Sequence, residues 1–108
     1  MDELVARLSA EDHDVEASLR PAKTVKAFKE CIDRGYVHVK FKETKGGTEL
    51  GFKLDRNDSN FSKADFDKET GSSHLVGNLV LNYVKVKCIA DIDLKTLEGK
   101  GCLVPHDG

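Results

Sequence analysis

The side chains best suited to chemistry in this sequence are the oxygen donors of Asp55-x-Asn57-x-Ser59, which stand at alternate positions as in the first half of a calcium-binding loop. The second half of the pattern fails. Its sixth position is Asn60, where such loops need glycine, and its twelfth is Phe66, where they need a bidentate glutamate. Side chains of this kind also form Asx turns in surface loops, and we expect that role here instead of a metal site.

A second carboxylate pair, Asp91-x-Asp93, lies in a segment with the alternation of a strand. Two such residues share one face of a strand, about 7 Å apart. Lys87 and Lys95 fall on the same face. We therefore expect these carboxylates to pair with lysines across neighbouring strands and to hold no metal between them.

The histidines are scattered and form no set for metal binding or for acid and base catalysis. They are His13, His38, His74 and His106. Only His13 lies directly between two carboxylates, Asp12 and Asp14, which would raise its pKa. No nucleophile motif, phosphate-binding loop or dinucleotide fingerprint occurs. The sequence thus predicts a protein that is not an enzyme, with no catalytic residue, no metal and no cofactor.

The three cysteines, an odd number at wide spacings, predict reduced thiols and a cytoplasmic location instead of a disulfide framework. Cys31 and Cys88 fall on the apolar phases of a helix and a strand, so we expect both to be buried. Cys102 follows Gly101 near the C-terminus and should be the most accessible of the three. The sequence leaves its reactivity open.

Length and composition favour one soluble domain over residues 1–108. The chain is 39% hydrophobic and 33% charged, with a formal net charge of −2. A chain of 108 residues buries one core and has no room for a second domain with its own cleft. No apolar run approaches the ~20 residues that span a bilayer, and the first residues are acidic where a secretory signal would be basic. We expect no membrane association.

Two helical regions are predicted before any strand. Residues 1–20 are acidic, and their apolar spacing favours two short helices. Residues 21–35 form the main predicted helix, because Pro21 suits a first turn and Gly35 suits the left-handed position after the last turn. The apolar stripe within it gives the helix one face for burial.

Antiparallel strands are predicted over residues 36–104. The period changes to two at Tyr36, and Lys45-Gly46-Gly47 supplies the turn of a first hairpin. Residues 55–74 read as a long, mobile loop anchored by Phe61 and Phe66. Later strands change phase near residues 82–84, which requires a bulge or a tight turn there.

These elements predict an α+β fold in which N-terminal helices pack on an antiparallel meander of four or five strands. The order, a helix first and a meander after, resembles the general plan of cystatin-like rolls. That resemblance is one of architecture alone and implies nothing about function.

The leading functional hypothesis is a non-catalytic protein-binding or regulatory module that acts through its sheet face, with self-association as a homodimer included. Apolar residues on the outward phase of the late strands and on the long loop would form the contact. They are Val76, Val80, Ile89, Phe61 and Phe66.

The alternative hypothesis is a binder of an anionic ligand or of single-stranded nucleic acid. Residues 20–45 carry eight Lys and Arg and three Asp and Glu, a net charge of +5. The candidate contacts are Lys23, Lys26, Lys29, Tyr36, His38, Lys40 and Lys42. The negative charge of the whole chain counts against a nucleic-acid partner.

Overall fold

Seven antiparallel strands and two short helices make up the part of the chain that the computed structural model describes, residues 3–19, 22–44 and 47–105. In chain order the elements are α1 (Glu3–Ala10), β1 (His13–Ala17), α2 (Val25–Arg34), β2 (Tyr36–Phe41), β3 (Thr48–Leu54), β4 (Ala64–Asp65), β5 (Thr70–Leu81), β6 (Val84–Asp93) and β7 (Glu98–Pro105).

Six of the strands close into a barrel. Their order is β3-β2-β1-β7-β6-β5, and β5 pairs back onto β3 through Lys53 with Asn78 and Leu54 with Gly77. The two residues of β4 add only to β5. The predicted α+β roll, with helices packed on an open meander, is therefore wrong. The alternation of apolar residues predicted the strands, but it does not show whether β3 and β5, the two ends of the strand order, pair with each other.

The core fills the inside of this barrel and the space beneath the helices. Each long strand turns alternate side chains inward, so one face is apolar and the other is solvated. The largest fully buried side chains are Phe28, Phe41, Phe52, Leu8, Leu75, Ile92, Leu94 and Leu103.

The N-terminal segment is only partly helical. The helix predicted over residues 1–20 ends at Ala10, and His13–Ala17 is a strand between β2 and β7. A short isolated helix is marginal in water. Here Val15 gains ladder partners on both sides, Phe41 and Gly99, and becomes fully buried, which outweighs the weak helical spacing.

The main helix starts later than predicted, at Val25. The side chain of Thr24 caps it by accepting a hydrogen bond from the Ala27 N–H at 3.1 Å. Gly35 ends it with φ of 82°, the left-handed conformation expected from the sequence. Pro21, which suggested the earlier start, lies outside the described residues.

The predicted loop 55–74 holds more structure than expected. Its last residues belong to β5, which starts at Thr70, and Asn60 and His74 exchange two backbone hydrogen bonds of 2.9 Å. The phenyl ring of Phe66 lies 6.4 Å from that of Phe28 in α2. β5 begins with short polar residues, so a pattern based on apolar alternation did not predict the start of this strand.

Both predicted turns connect paired strands. β2 and β3 form the first hairpin, from Tyr36 opposite Lys53 to Phe41 opposite Thr48. Gly47 has φ of 76°, whereas Lys45 and Gly46 lie outside the described residues. The phase change near residue 82 is a tight turn, because Leu81 and Val84 pair directly.

Replacing Arg56 with methionine should lower the free energy of unfolding by about 1 kcal/mol. The guanidinium donates to the carbonyl oxygens of Ile32 at 2.8 Å and Asp33 at 3.1 Å, at the negative end of α2. Urea denaturation measures the change. Lys26→Met, on the exposed side of the same helix, is the control and should leave the midpoint unchanged; equal effects of the two variants would contradict this account.

Candidate functional site

One row of cross-strand neighbours runs over the outside of the barrel across five strands. Tyr36 pairs with Lys53, Lys53 with Asn78, Asn78 with Lys87, and Lys87 with Val104. Directly paired residues of antiparallel strands project from the same side of a sheet, so these side chains all point outward from the barrel. The row follows five of the six barrel strands, so its two ends lie on different sides of the barrel. Tyr36 is 47% exposed and Val104 44% exposed, which makes the row apolar at both ends.

The β5–β6 hairpin extends this surface beyond the row. Val80 pairs with Lys85 and is 63% exposed, and Tyr83 at the tip is fully exposed. We call the outer surface of this hairpin and of the neighbouring strand β7 the hairpin face. Its residues are Asn78, Val80, Tyr83, Lys85, Lys87 and Val104.

The turn that carries Tyr83 is strained. Asn82 has φ of 48° and Tyr83 φ of 68°, the pattern of a type I′ turn, in which Asn-Gly is the preferred pair. A bulky residue in the left-handed region costs on the order of 1 kcal/mol or more. The turn therefore holds an aromatic side chain in solvent at a conformational cost, a combination typical of binding sites.

The hairpin face combines exposed apolar side chains with lysines. Three of the four large hydrophobic side chains that are exposed among the described residues belong to it, Val80, Tyr83 and Val104, and the fourth is Tyr36 on β2. Of its lysines, Lys87 lies 3.5 Å from Asp58, while Lys85 has no ion pair within the described ranges. An exposed apolar surface with lysines among its apolar side chains suits a protein partner better than a small ligand.

The residues predicted to bind a partner lie in different environments in the structure. Val80 lies on the hairpin face, and Ile89 is half-buried in the next outward row, opposite Val76. Val76 is only 4% exposed, because the loop with Ser59 covers it and hydrogen-bonds to its backbone. Phe61 and Phe66 pack against the core.

The sequence analysis missed Tyr83, Val104 and the lysines beside them as members of one surface. In sequence, Tyr83 continues the alternation of the inward-facing residues of β5. In the structure it lies in the turn after that strand, and its side chain is exposed. Val104 could have been found, because Leu103 before it is buried and strand neighbours face opposite ways.

Three of the predicted anion-binding lysines form ion pairs with carboxylates. Lys23 lies 2.9 Å from Glu16, and Lys29 lies 3.4 Å from Asp33. Lys42 pairs with Glu98, whose hydrogen bond raises the pKa of that ammonium. Arg20 and Lys45, at the ends of the basic segment, lie outside the described residues.

The other members of that set lie on two elements. The rings of Tyr36 and His38 lie 5.2 Å apart, edge to face. Lys26 lies on α2 and Lys40 on β2. The alternative hypothesis of an anion or nucleic-acid binder stays a prediction.

The candidate metal residues are engaged in local contacts. Asp55 accepts from the N–H groups of Asn57 at 3.0 Å and Asp58 at 3.3 Å, which confirms the predicted Asx turn. Asp91 accepts from His74 at 2.8 Å. Within residues 3–19, 22–44 and 47–105, no three His, Cys, Asp or Glu side chains come together as a metal site.

Two of the thiols have raised pKa values. Burial raises the pKa of Cys88 to about 12, and burial is also the main cause for Cys102, which is half-buried. Neither thiol is activated as a nucleophile. Among the helices that the structure describes, none is long and apolar enough to cross a membrane.

Comparison with known proteins gives two matches. Residues 1–108 match the model of the family described as core binding factor beta subunit. The chain is also 32% identical over 107 residues to Protein big brother of Drosophila melanogaster. That alignment covers 94% of this chain and 50% of the fly protein, so the chain spans about half the length of the curated relative it matches.

Proposed function

This chain belongs to the core binding factor beta subunit family, and we propose that it is a non-catalytic regulatory subunit that binds a Runt-domain transcription factor through the hairpin face. The observation that carries the choice of surface is the concentration of exposed apolar side chains there. The family description, a subunit, supports assembly with another protein.

The chemistry of the hairpin face supports a stable contact. Aromatic anchors such as Tyr83 supply most binding energy in many interfaces, with polar groups at the rim excluding water. Lys85 and Lys87 would favour an acidic surface on the partner and speed the encounter at low salt. The closed barrel holds the surface in one shape, which lowers the ordering cost of binding.

A subunit of a transcription factor acts where the DNA is. The proposal therefore places the site of action in the nucleus instead of the cytoplasm that the cysteine pattern favoured. It gives the chain no role in contacting DNA itself, and the ion pairs of Lys23, Lys29 and Lys42 support that restriction.

Isothermal titration of the chain with a purified Runt domain tests the proposal. We expect a 1:1 complex whose affinity falls as salt is added. The double variant Val80→Ser, Val104→Ser should weaken binding without loss of folding, because both side chains are already exposed. Lys23→Ser with Lys29→Ser is the control. An absence of binding at low salt would refute the proposed partner.

Self-association through the same surface is the competing use of the hairpin face. Sedimentation of the chain alone at high concentration distinguishes the two. We expect a monomer that forms a heterodimer when the Runt domain is added. A homodimer that the Val80→Ser, Val104→Ser variant abolishes would contradict this expectation.

A further inference from the structure

The side chain of His13 is buried between two hydrogen-bond acceptors. The residue is 4% exposed. Its Nδ1 lies 2.9 Å from Oε2 of Glu43, in the turn after β2, and its Nε2 lies 2.9 Å from the carbonyl oxygen of Arg7 in α1. One imidazole ring thus joins β1, the β2–β3 turn and the first helix.

Only the protonated ring satisfies both contacts. A neutral imidazole has one N–H donor and one acceptor nitrogen, so one of its nitrogens would present a lone pair to an oxygen. Both nitrogens of the imidazolium donate. The carbonyl of Arg7 is one of the last four of α1, at the negative end of the helix dipole, so a positive donor is favoured there.

We infer that His13 is a proton-dependent clamp that docks α1 on the barrel. When the ring is protonated, it bonds the helix end and Glu43 together. When the proton is lost, the ring keeps one N–H. The carboxylate of Glu43 is the stronger acceptor and holds that hydrogen on Nδ1, so the bond to the Arg7 carbonyl fails and the ring no longer ties the end of α1 to the barrel, although Val5 and Leu8 stay fully buried. The inference concerns the helix itself and goes beyond the proposed function.

The charged groups around the ring favour the protonated form. Glu43 is closest, and its hydrogen bond is the largest cause of the raised pKa of His13, ahead of the opposing effect of burial. The Arg7 carbonyl and the charge of Glu11 also raise it. Of the nearby charges, the Arg7 guanidinium pairs with Glu3, and Asp14 pairs with Lys100 of β7.

The sign of the pH dependence follows from these directions. Because the folded-state pKa of His13 is raised above 6.5, its stabilisation is complete below pH 6.5 and is lost as pH rises through the folded pKa. The pKa of Glu43 is lowered from 4.5 by its bond to His13, so its contribution is lost as pH falls through that lower value. The clamp therefore holds between these two limits.

α1 lies beside the turn that carries Tyr83. Glu3, Leu4 and Arg7 of α1 line one surface depression together with Asn82 of the strained turn. Release of α1 would change the support beside Tyr83. We therefore expect partner affinity to fall as pH rises, a part of the inference that rests on the proposed function.

Nuclear magnetic resonance of the histidine rings and helix amides tests the clamp. We expect His13 to titrate above pH 6.5, Glu43→Gln to lower its midpoint, and α1 amides to lose exchange protection between pH 6 and pH 8.5. His13→Gln should remove the pH dependence of that protection, and His38→Gln, at an exposed histidine, should retain it. Titration of His13 at or below pH 6.5, or equal exchange protection of the α1 amides at pH 6 and pH 8.5, would overturn the clamp.

Calorimetry with a Runt domain at pH 6 and pH 8.5 separates the two levels of the inference. Weaker binding at pH 8.5 that is absent in His13→Gln supports the coupling to the hairpin face. Equal affinities at the two pH values, in a protein whose His13 titration and α1 protection still change with pH, overturn the coupling to the hairpin face and leave the clamp in place. No binding at either pH refutes the proposed function, and the ring titration still decides the clamp.

Discussion

Replacing Tyr83 with glycine should make the protein more stable and its partner complex weaker. Glycine adopts a positive φ without strain, and Asn-Gly is the preferred pair in a type I′ turn, so the free energy of unfolding should rise by about 0.5–1 kcal/mol. The same change removes the most exposed aromatic ring of the hairpin face. Loss of such an anchor costs about 2 kcal/mol of binding, roughly a 30-fold rise in Kd.

Glu69→Gly is a matched control for this variant. Glu69 also has a positive φ, 56°, and is exposed, but it lies in the turn before β5 and outside the hairpin face. It should gain similar stability and leave partner affinity unchanged. Thermal unfolding and calorimetry measure the two quantities. A Tyr83→Gly protein that binds as tightly as the native chain would show that the turn has no part in recognition.

Replacing Gly77 with alanine should lower the free energy of unfolding by about 3 kcal/mol. Gly77 lies opposite Leu54, where β5 closes the barrel against β3. A Cβ there would come within 2.1 Å of the Phe52 ring and 2.6 Å of the Lys53 carbonyl oxygen. The ring is fully buried and cannot turn away, so the two strands must separate.

Gly51→Ala is the control for the closure of the barrel. Its Cβ would meet the His38 ring at 2.7 Å and the Tyr36 hydroxyl at 2.8 Å, which are the outer ends of side chains on exposed residues. These ends can move, so we expect a change below about 1 kcal/mol. Urea denaturation compares the two variants, and equal losses would contradict the account of the closing contact.

Local signals predicted the elements whose stability is itself local. The main helix has a cap and a terminal glycine in sequence, and the first hairpin has its turn between two alternating runs. The strand His13–Ala17 could not be predicted in this way, because its partners Phe41 and Gly99 are distant in the chain. Barrel closure at Gly77 is equally non-local, because its partner Leu54 in β3 is distant in the chain.

The candidate site was predictable only where the strand phase was visible. Val80 followed from alternation, whereas Val76 has the same phase but lies under a loop that the pattern does not reveal. A raised pKa for His13 was expected from Asp12 and Asp14, and the pKa is raised, but neither of these carboxylates is among the causes. Its main cause, however, is Glu43, which the fold brings from 30 residues away.

Mapping the contact surface on the isotope-labelled chain tests the central claim most directly. On addition of an unlabelled Runt domain, we expect the largest amide shift changes and line broadening at the hairpin face, centred on Val80 and Tyr83, with little change along the outer side of α2. Changes concentrated instead at Lys23, Lys26 and Lys29, with the β5–β6 hairpin unaffected, would contradict the account.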